Sequence, residues 1–391
     1  MIVRQFISWV RTAPAGERAE ATRALARAWL VSDLSDDDRA AAEGALLMLL
    51  DDGSSLVRQA MSDVFARSAH APAAIIQALS TDQASVALPV LEHSPLLIDA
   101  DLVDIVATGD CDMQCAIARR HALPASICAA IAEVGHAAAT LELIENPDAD
   151  LPAFSLDRIV ERHGHLAAIR ESLLGREDLP SPTRLALVAK LSETLAQFVT
   201  ARNWLPADRA ARVAAEATER STVTIAARSR GDDLRALVGH LRAAGQLNAG
   251  LILRALLSGN TDLFDAALVE LSGLPASRVA ALTSDGGASG LHALLARAGL
   301  PDSTFAAFRA ALSAAHEIGF VGTIEGRTRL RRRMVERVLT ACETDSEAAG
   351  PLLLLMRRFS TESAREEARL FCDELVAEDT LAPLHDHLIA A

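Results

Sequence analysis

Leu123-Pro124-Ala125-Ser126 returns 151 residues later as Leu274-Pro275-Ala276-Ser277. Further Leu-Pro pairs begin at Leu151, Leu179, Leu205 and Leu300, so the successive gaps are 28, 28, 26, 69 and 26 residues. The long gap divides: Leu247-Asn248-Ala249 stands 27 residues before Leu274 and introduces the apolar segment LILRALL without the proline. That leaves 42 residues after Leu205, which predicts one extra helix near 207–246. Upstream, Ala71-Pro72 and Asp99-Ala100-Asp101 open similar segments, 52 and 24 residues before Leu123. A period of about 24–28 residues is long enough for two short helices and too regular for chance.

The chemistry of each start supports a helix. Proline suits a first helical turn, where its missing N–H would be unpaired in any case. A nearby Ser, Asp or Thr can accept the other orphan amides, and the leading leucine can staple the turn. Apolar stripes at spacings of three and four follow, such as Ile127, Ala130, Ile131 and Val134, or Phe305, Phe308 and Leu312. One such hairpin cannot bury its own apolar face, whereas a stack of neighbours makes a continuous core. The predicted fold is therefore all-α: a HEAT/armadillo-like α-solenoid of short helical hairpins over residues 1–320. An irregular helical C-terminal portion is expected over 321–391. Asp51-Asp52-Gly53-Ser54-Ser55-Leu56-Val57-Arg58 reads like a HEAT unit, with Asp52 and Arg58 as a structural ladder between repeats.

Composition agrees. Half of the chain is apolar, aromatic residues make up 3%, and tyrosine is absent, so the core must be built from Ala, Leu, Val and Ile. The net charge of −14 is uneven: residues 1–150 carry 22 acidic and 10 basic groups, residues 151–320 carry 17 and 18, and residues 321–391 carry 13 and 10. An acidic N-terminal third repels phosphate backbones and favours basic or mixed-charge protein partners. Five cysteines without a CxxC pair fit a reducing compartment. No apolar run approaches the length of a spanning helix. These features predict a cytoplasmic protein without membrane insertion.

DDGSSLVRQAMSDVFA (51–66), VALPVLEHSPLLIDADLVDIV (86–106), AIARRHALPASI (116–127) and DGGASGLHALLARAGLPDSTFAAFRAAL (285–312) together resemble the bacterial domain-of-unknown-function family DUF2336, across most of residues 20–345. The resemblance implies a HEAT-like helical-repeat fold. It brings no catalytic residues to carry over.

Other constellations give way to plain readings. Cys111 and Cys115, with Cys128 and His121 nearby, lack the tight-turn ligand pairs of a structural zinc site and read as small buried hydrophobes. Glu161-Arg162-His163-Gly164-His165 reads as a helix end, and no HExxH is present. Asp285-Gly286-Gly287-Ala288-Ser289-Gly290 has the look of a phosphate cradle but lacks the Lys-Ser/Thr that follows one, and reads as an inter-helical turn. No metal, cofactor or catalytic residue is expected.

Six arginines fall in eleven residues from Arg327 to Arg337. On a helix, Leu330, Met334, Val335, Val338 and Leu339 make the inward stripe, and Arg329, Arg332, Arg333 and Arg337 fall largely outside it. Those four are the candidate docking residues, for an acidic protein or a phosphorylated or nucleotide-derived ligand; a plainly solvated face competes with that reading. The leading functional expectation is a non-catalytic protein–protein interaction scaffold or adaptor, with self-association between oppositely charged ends as a variant. Two alternatives belong to other classes: a helical-repeat nucleic-acid enzyme of DNA-glycosylase type, and a ligand-sensing signalling module. The whole-chain charge and the scarcity of stacking aromatics disfavour nucleic acid.

Overall fold

The structure, a computed structural model, describes residues 6, 8–284, 288–318, 324–344 and 350–389, with the backbone alone at 317–318, 324–330, 344, 351, 374 and 377–389. Among the described residues the fold is all-α, and the one extended contact is an isolated bridge between Leu123 and Ala149. Two compact units divide at Leu179 and Pro180, Met1–Leu179 and Pro180–Ala391; the boundary expected near 320 lies inside the second unit.

The first unit holds α1 (Ala15–Val31), α2 (Asp36–Leu49), α3 (Ser55–Phe65), α4 (Ala73–Ser80), α5 (Ala84–His93), α6 (Asp99–Thr108), α7 (Cys111–Ala118), α8 (Ala125–Val134), α9 (Ala137–Glu145), α10 (Ala153–His163) and α11 (Ala167–Gly175). Every second helix packs on the next. α1, α3, α5, α7, α9 and α11 follow one another in contact, and so do α6, α8 and α10. Helices this short are marginal alone, and here their apolar faces close the core: Phe65, Ile75, Ile76, Val90, Leu91, Ile117, Ile127, Ile131 and Leu143 are fully buried.

The recurring Leu-Pro acts one residue earlier than expected. Pro124, Pro152, Pro180 and Pro206 are N-cap residues with extended ψ, and none supplies a side-chain cap. Proline pushes the residue before it out of the helical region, so each helix start is preceded by a short extended stretch. Two of these stretches pair: Leu123 N–H donates to Asp148 O at 3.2 Å, and Asp150 N–H to Leu123 O at 2.9 Å, just before Leu151-Pro152. Ser126, expected to cap, instead donates to Asp99 on α6 at 3.0 Å.

Arginines join neighbouring helices. The last carbonyls of a helix have no partner within it. Arg120 donates to Leu91 O and Ser94 O at the end of α5, and Arg162 to Ala132 O and Gly135 O at the end of α8. Arg58 on α3 spans Asp82 and Asp52 O, while Arg18 holds the Asp52 carboxylate, giving the ladder that the HEAT-like segment suggested. Gly109 and Gly135 end α6 and α8 at sharp elbows: a Cβ there would stand 2.6 and 2.5 Å from the carbonyl oxygens of Ile105 and Ile131.

The second unit opens with two long helices packed on each other, α12 (Ser181–Ala201) and α13 (Ala207–Arg228), followed by α14 (Gly231–Ala243). The stretch 207–246 thus holds α13 and α14. Asp233 anchors the start of α12, accepting from the Ser181 N–H at 2.9 Å and from its hydroxyl. Trp204, in the α12–α13 turn, is exposed and edge-on to Phe198, whereas Trp29 in the first unit is buried against Phe65. Then come α15 (Ala249–Leu257), α16 (Thr261–Ser272), α17 (Ala276–Ser284), α18 (Ala288–Arg297), a 3₁₀ turn at Asp302–Thr304, α19 (Phe305–Ile318), α20 (Ile324–Thr344) and α21 (Gly350–Ile389). One apolar core, including Phe264, Phe308, Val335, Val338, Met356 and Phe359, runs through α15 to α21, so the segment after 321 is packed into the second unit.

Candidate anion-binding cleft

The arginine-rich segment forms α20, and Met334, Val335 and Val338 make its buried face with Leu339 at the edge, as the spacing predicts. The four candidate docking residues have different fates. The Arg329 and Leu330 side chains lie outside the described residues, as does the turn at Asp285–Gly287. Arg332 donates to Glu336 one turn on and to Glu367 of α21, and these two carboxylates hold its guanidinium far above the usual arginine range. It therefore ties α20 to α21. Arg333 is exposed with no ion pair among the described residues, and Arg337 is exposed but engaged in an interaction of its own.

The arginine that matters most on this helix is Arg331. It donates to Glu366 at 2.7 Å and stands 3.5 Å from Glu362. With these it lines a cleft of about 850 Å³ within the second unit. Four helices build the cleft. α13 contributes Glu216, Arg220 and Thr224, spaced one turn apart; α15 contributes Arg254; α20 contributes Arg331; and α21 contributes Arg357, Arg358, Thr361, Glu362, Arg365, Glu366 and Arg369. The α21 residues fall at helical spacing, so one face of that helix is almost continuously charged. Seven arginines face three glutamates.

Arg254 sits at the inner end. α15 begins at Asn248, whose side chain accepts from Leu251 N–H at 3.0 Å, and every residue from Leu251 to Leu257 is buried. A helix apolar on all sides belongs inside a core, and an arginine within it requires a counter-charge. Glu362 supplies one: both of its oxygens lie within 2.9 Å of Arg254 Nη1. The guanidinium lies 4.3 Å over the Phe359 ring, a favourable cation–π placement. Its Nε is buried and makes no hydrogen bond; the Glu219 carboxylate stands 3.6 Å off. Burial pushes the Glu219 carboxyl up, Arg254 opposes the rise, and Glu362 adds to it.

The other glutamates are engaged too. Glu216 pairs with Arg358, and Glu366 with Arg331. Arg357 turns to Glu343, 3.0 Å away. Arg365 and Arg369, exposed on α21, have no ion pair among the described residues. The excess positive charge of the cleft resides chiefly there and in Arg220, which shares Glu362 at a looser 3.7 Å. A cationic hollow with a buried, partly satisfied arginine can hold an anion by charge-assisted hydrogen bonds.

The motif reading missed Arg220, Arg254, Arg365 and Arg369. Two signals point to three of them: Arg254 is the charge inside LILRALL, and Arg365 and Arg369 follow Arg358 at intervals of seven and four on one helix face. The segment from Ser363 to Arg369 reads as an exposed helix with pairs along its own length. Its glutamates instead reach across to α20, Glu366 to Arg331 and Glu367 to Arg332.

The cysteines sit apart from the cleft. Burial raises the Cys115 thiol to about 11, with Cys111 adding to the rise, and the Cys128 thiol to about 12. Both are therefore neutral thiols at physiological pH. Among the described residues no three His, Cys, Asp or Glu side chains converge in a way that could hold a metal ion. No helix among them is long and apolar enough to cross a membrane.

The model of a family described as an uncharacterised protein conserved in bacteria, DUF2336, matches residues 86–347. No curated protein and no solved structure matches the chain.

Proposed function

This chain belongs to the bacterial family DUF2336, and we propose that it acts as a non-catalytic docking protein, whose second unit receives an acidic segment of a protein partner in the arginine cleft. The observation that carries the reading is the charge inventory of the hollow: seven arginines, three glutamates already engaged, and two arginines with no ion pair among the described residues. The first unit acts as a HEAT-like array beside this function, a reading supported by its every-second-helix packing and by the pairing of Leu123 with the stretch before Leu151. Unpaired cysteines favour the reducing cytoplasm as its place of action. A nucleic-acid enzyme needs stacking aromatics at the base of its groove, and the cleft lining includes none.

Fluorescence anisotropy of a labelled Asp/Glu-rich peptide with the full-length protein tests the reading. Binding should weaken steeply with salt and be lost on Arg220→Glu, Arg365→Glu and Arg369→Glu combined. Tighter binding of a labelled single-stranded DNA than of the peptide would refute it.

A further inference from the structure

We propose that the cleft is a receptor for a phosphoryl group carried on the partner protein, and that Glu362 is the internal carboxylate that fills the inner end of the site until that group displaces it. This rests on the docking role above and names the chemistry recognised there.

The geometry around Glu362 is the starting point. One carboxylate lies among three guanidiniums, at 2.8 Å from Arg254, 3.5 Å from Arg331 and 3.7 Å from Arg220. Only the first distance is that of a good hydrogen bond. Arg331 has Glu366 as a second partner and Arg254 has Glu219 at a long 3.6 Å, but Glu362 is the one carboxylate near Arg220 among the described residues and reaches it loosely, so its two oxygens do not give all three guanidiniums a good acceptor. A phosphomonoester carries up to two negative charges and three terminal acceptor oxygens, enough for one acceptor at each guanidinium. Arg254 is built for such a guest. It is 3% exposed, so water does not compete for it, and its buried Nε makes no hydrogen bond. Its planar fork matches phosphate geometry in a way that a lysine would not.

The rest of the cleft fits a phosphorylated side chain on a peptide better than a free small anion. Its volume of about 850 Å³ is far larger than one phosphate. Arg365 and Arg369 stand one and two turns beyond Glu362 on the same helix and are exposed. There they would meet acidic residues flanking the phosphorylated one. A nucleotide would want an aromatic platform for its base, and the lining includes none.

Glu362 makes the site self-screening. A weak anion must break the Arg254–Glu362 pair and gains little, whereas a dianion replaces the carboxylate and engages Arg220 and Arg331 as well. The apparent affinity is then the intrinsic affinity reduced by the fraction of molecules in which Glu362 has let go.

Calorimetric titration of the full-length protein tests this. The probes are a phosphoserine peptide with acidic flanks, its serine twin, inorganic phosphate and ATP. The phosphopeptide should bind at least about ten-fold tighter than its twin, and inorganic phosphate should compete with it. Glu362→Gln should tighten inorganic phosphate binding by about ten-fold, and Arg220→Gln with Arg331→Gln should abolish it. Should Glu362→Gln unfold, the rim variant Arg365→Gln with Arg369→Gln keeps the test alive: it should weaken the phosphopeptide while leaving inorganic phosphate unchanged. If the serine twin binds as tightly as the phosphopeptide, the phosphoryl inference fails and the docking role stands. If neither peptide binds, both fall. ATP binding tighter than the phosphopeptide overturns the partner protein as the source. A folded Glu362→Gln that binds phosphate no more tightly overturns displacement.

Discussion

Replacing Arg58 by methionine removes the bridging guanidinium of the ladder in the first unit while keeping an unbranched apolar stem. In the folded chain Arg58 Nε and Nη2 donate to the two oxygens of Asp82 at 2.5 and 2.9 Å, and Nη1 donates to Asp52 O at 2.5 Å. Both partners of the ion pair are 16% exposed. Exposed pairs are worth about 0–1 kcal/mol, and breaking a fully buried pair costs about 3–5 kcal/mol. A bidentate pair at this depth should cost about 2–3 kcal/mol, between those limits. For a unit of this size that lowers its melting temperature by roughly 4–12 °C.

Trp29 reports on the right unit, since it is buried edge-on against Phe65, which lies on the same helix as Arg58. Urea unfolding followed by Trp29 fluorescence, with Trp9 and Trp204 changed to Phe in both proteins, measures the loss. Its pH dependence is fixed in sign. The Arg58 hydrogen bond and charge hold the Asp82 carboxyl below its ordinary range. The stabilisation is therefore fully present above the unfolded aspartate value of about 3.9 and is lost as pH falls through the lower folded value. The gap between wild type and Arg58→Met should be constant near neutrality and close in acid. A loss below about 0.5 kcal/mol at neutral pH, the range of ordinary surface substitutions, would refute the ladder as a structural element.

Other outcomes follow from particular sites. Gly135→Ala places a Cβ 2.5 Å from the Ile131 carbonyl oxygen and should destabilise the first unit by about 1–3 kcal/mol, seen in the same Trp29 transition. Gly239→Ala, inside α14 with open space around it, should stabilise the second unit by about 0.5–1 kcal/mol, read as a higher midpoint in chemical denaturation. Thiol labelling at neutral pH should modify exposed Cys372 first and leave buried Cys128, raised to about 12, and buried Cys342 untouched until the chain unfolds. Arg254→Met should lower the stability of the second unit, whereas Arg254→Met with Glu362→Leu should recover most of the loss, because the cost lies in stranding a charge; a double-mutant cycle by urea unfolding measures both.

Much of the fold was legible in the residues themselves, because helical periodicity and helix starts are local. The absence of tyrosine, the wealth of Ala and Leu, and the Leu-Pro recurrence led to an all-α chain of short helices, and the spacing of Met334, Val335 and Val338 identified the buried face of α20. Even there the local rule was incomplete. Proline sits before the helix, and the pairing of Leu123 with the stretch before Leu151 needs two repeats side by side.

The candidate site was hidden because the role of a charge depends on which other charges the packing brings to it. Arg254 meets Glu362 across 108 residues, and Arg358 meets Glu216 across 142. The arginine run marked α20 as a charged helix, yet three of its turns cannot say that Arg332 is spent on Glu336 and Glu367 while Arg331 faces the cleft. Composition and period determine which segments become helices and which faces they bury. Only the tertiary structure decides which cations are neutralised by distant carboxylates and which are left over, because Coulomb energy depends on separation and burial, and neither is written in the order of residues.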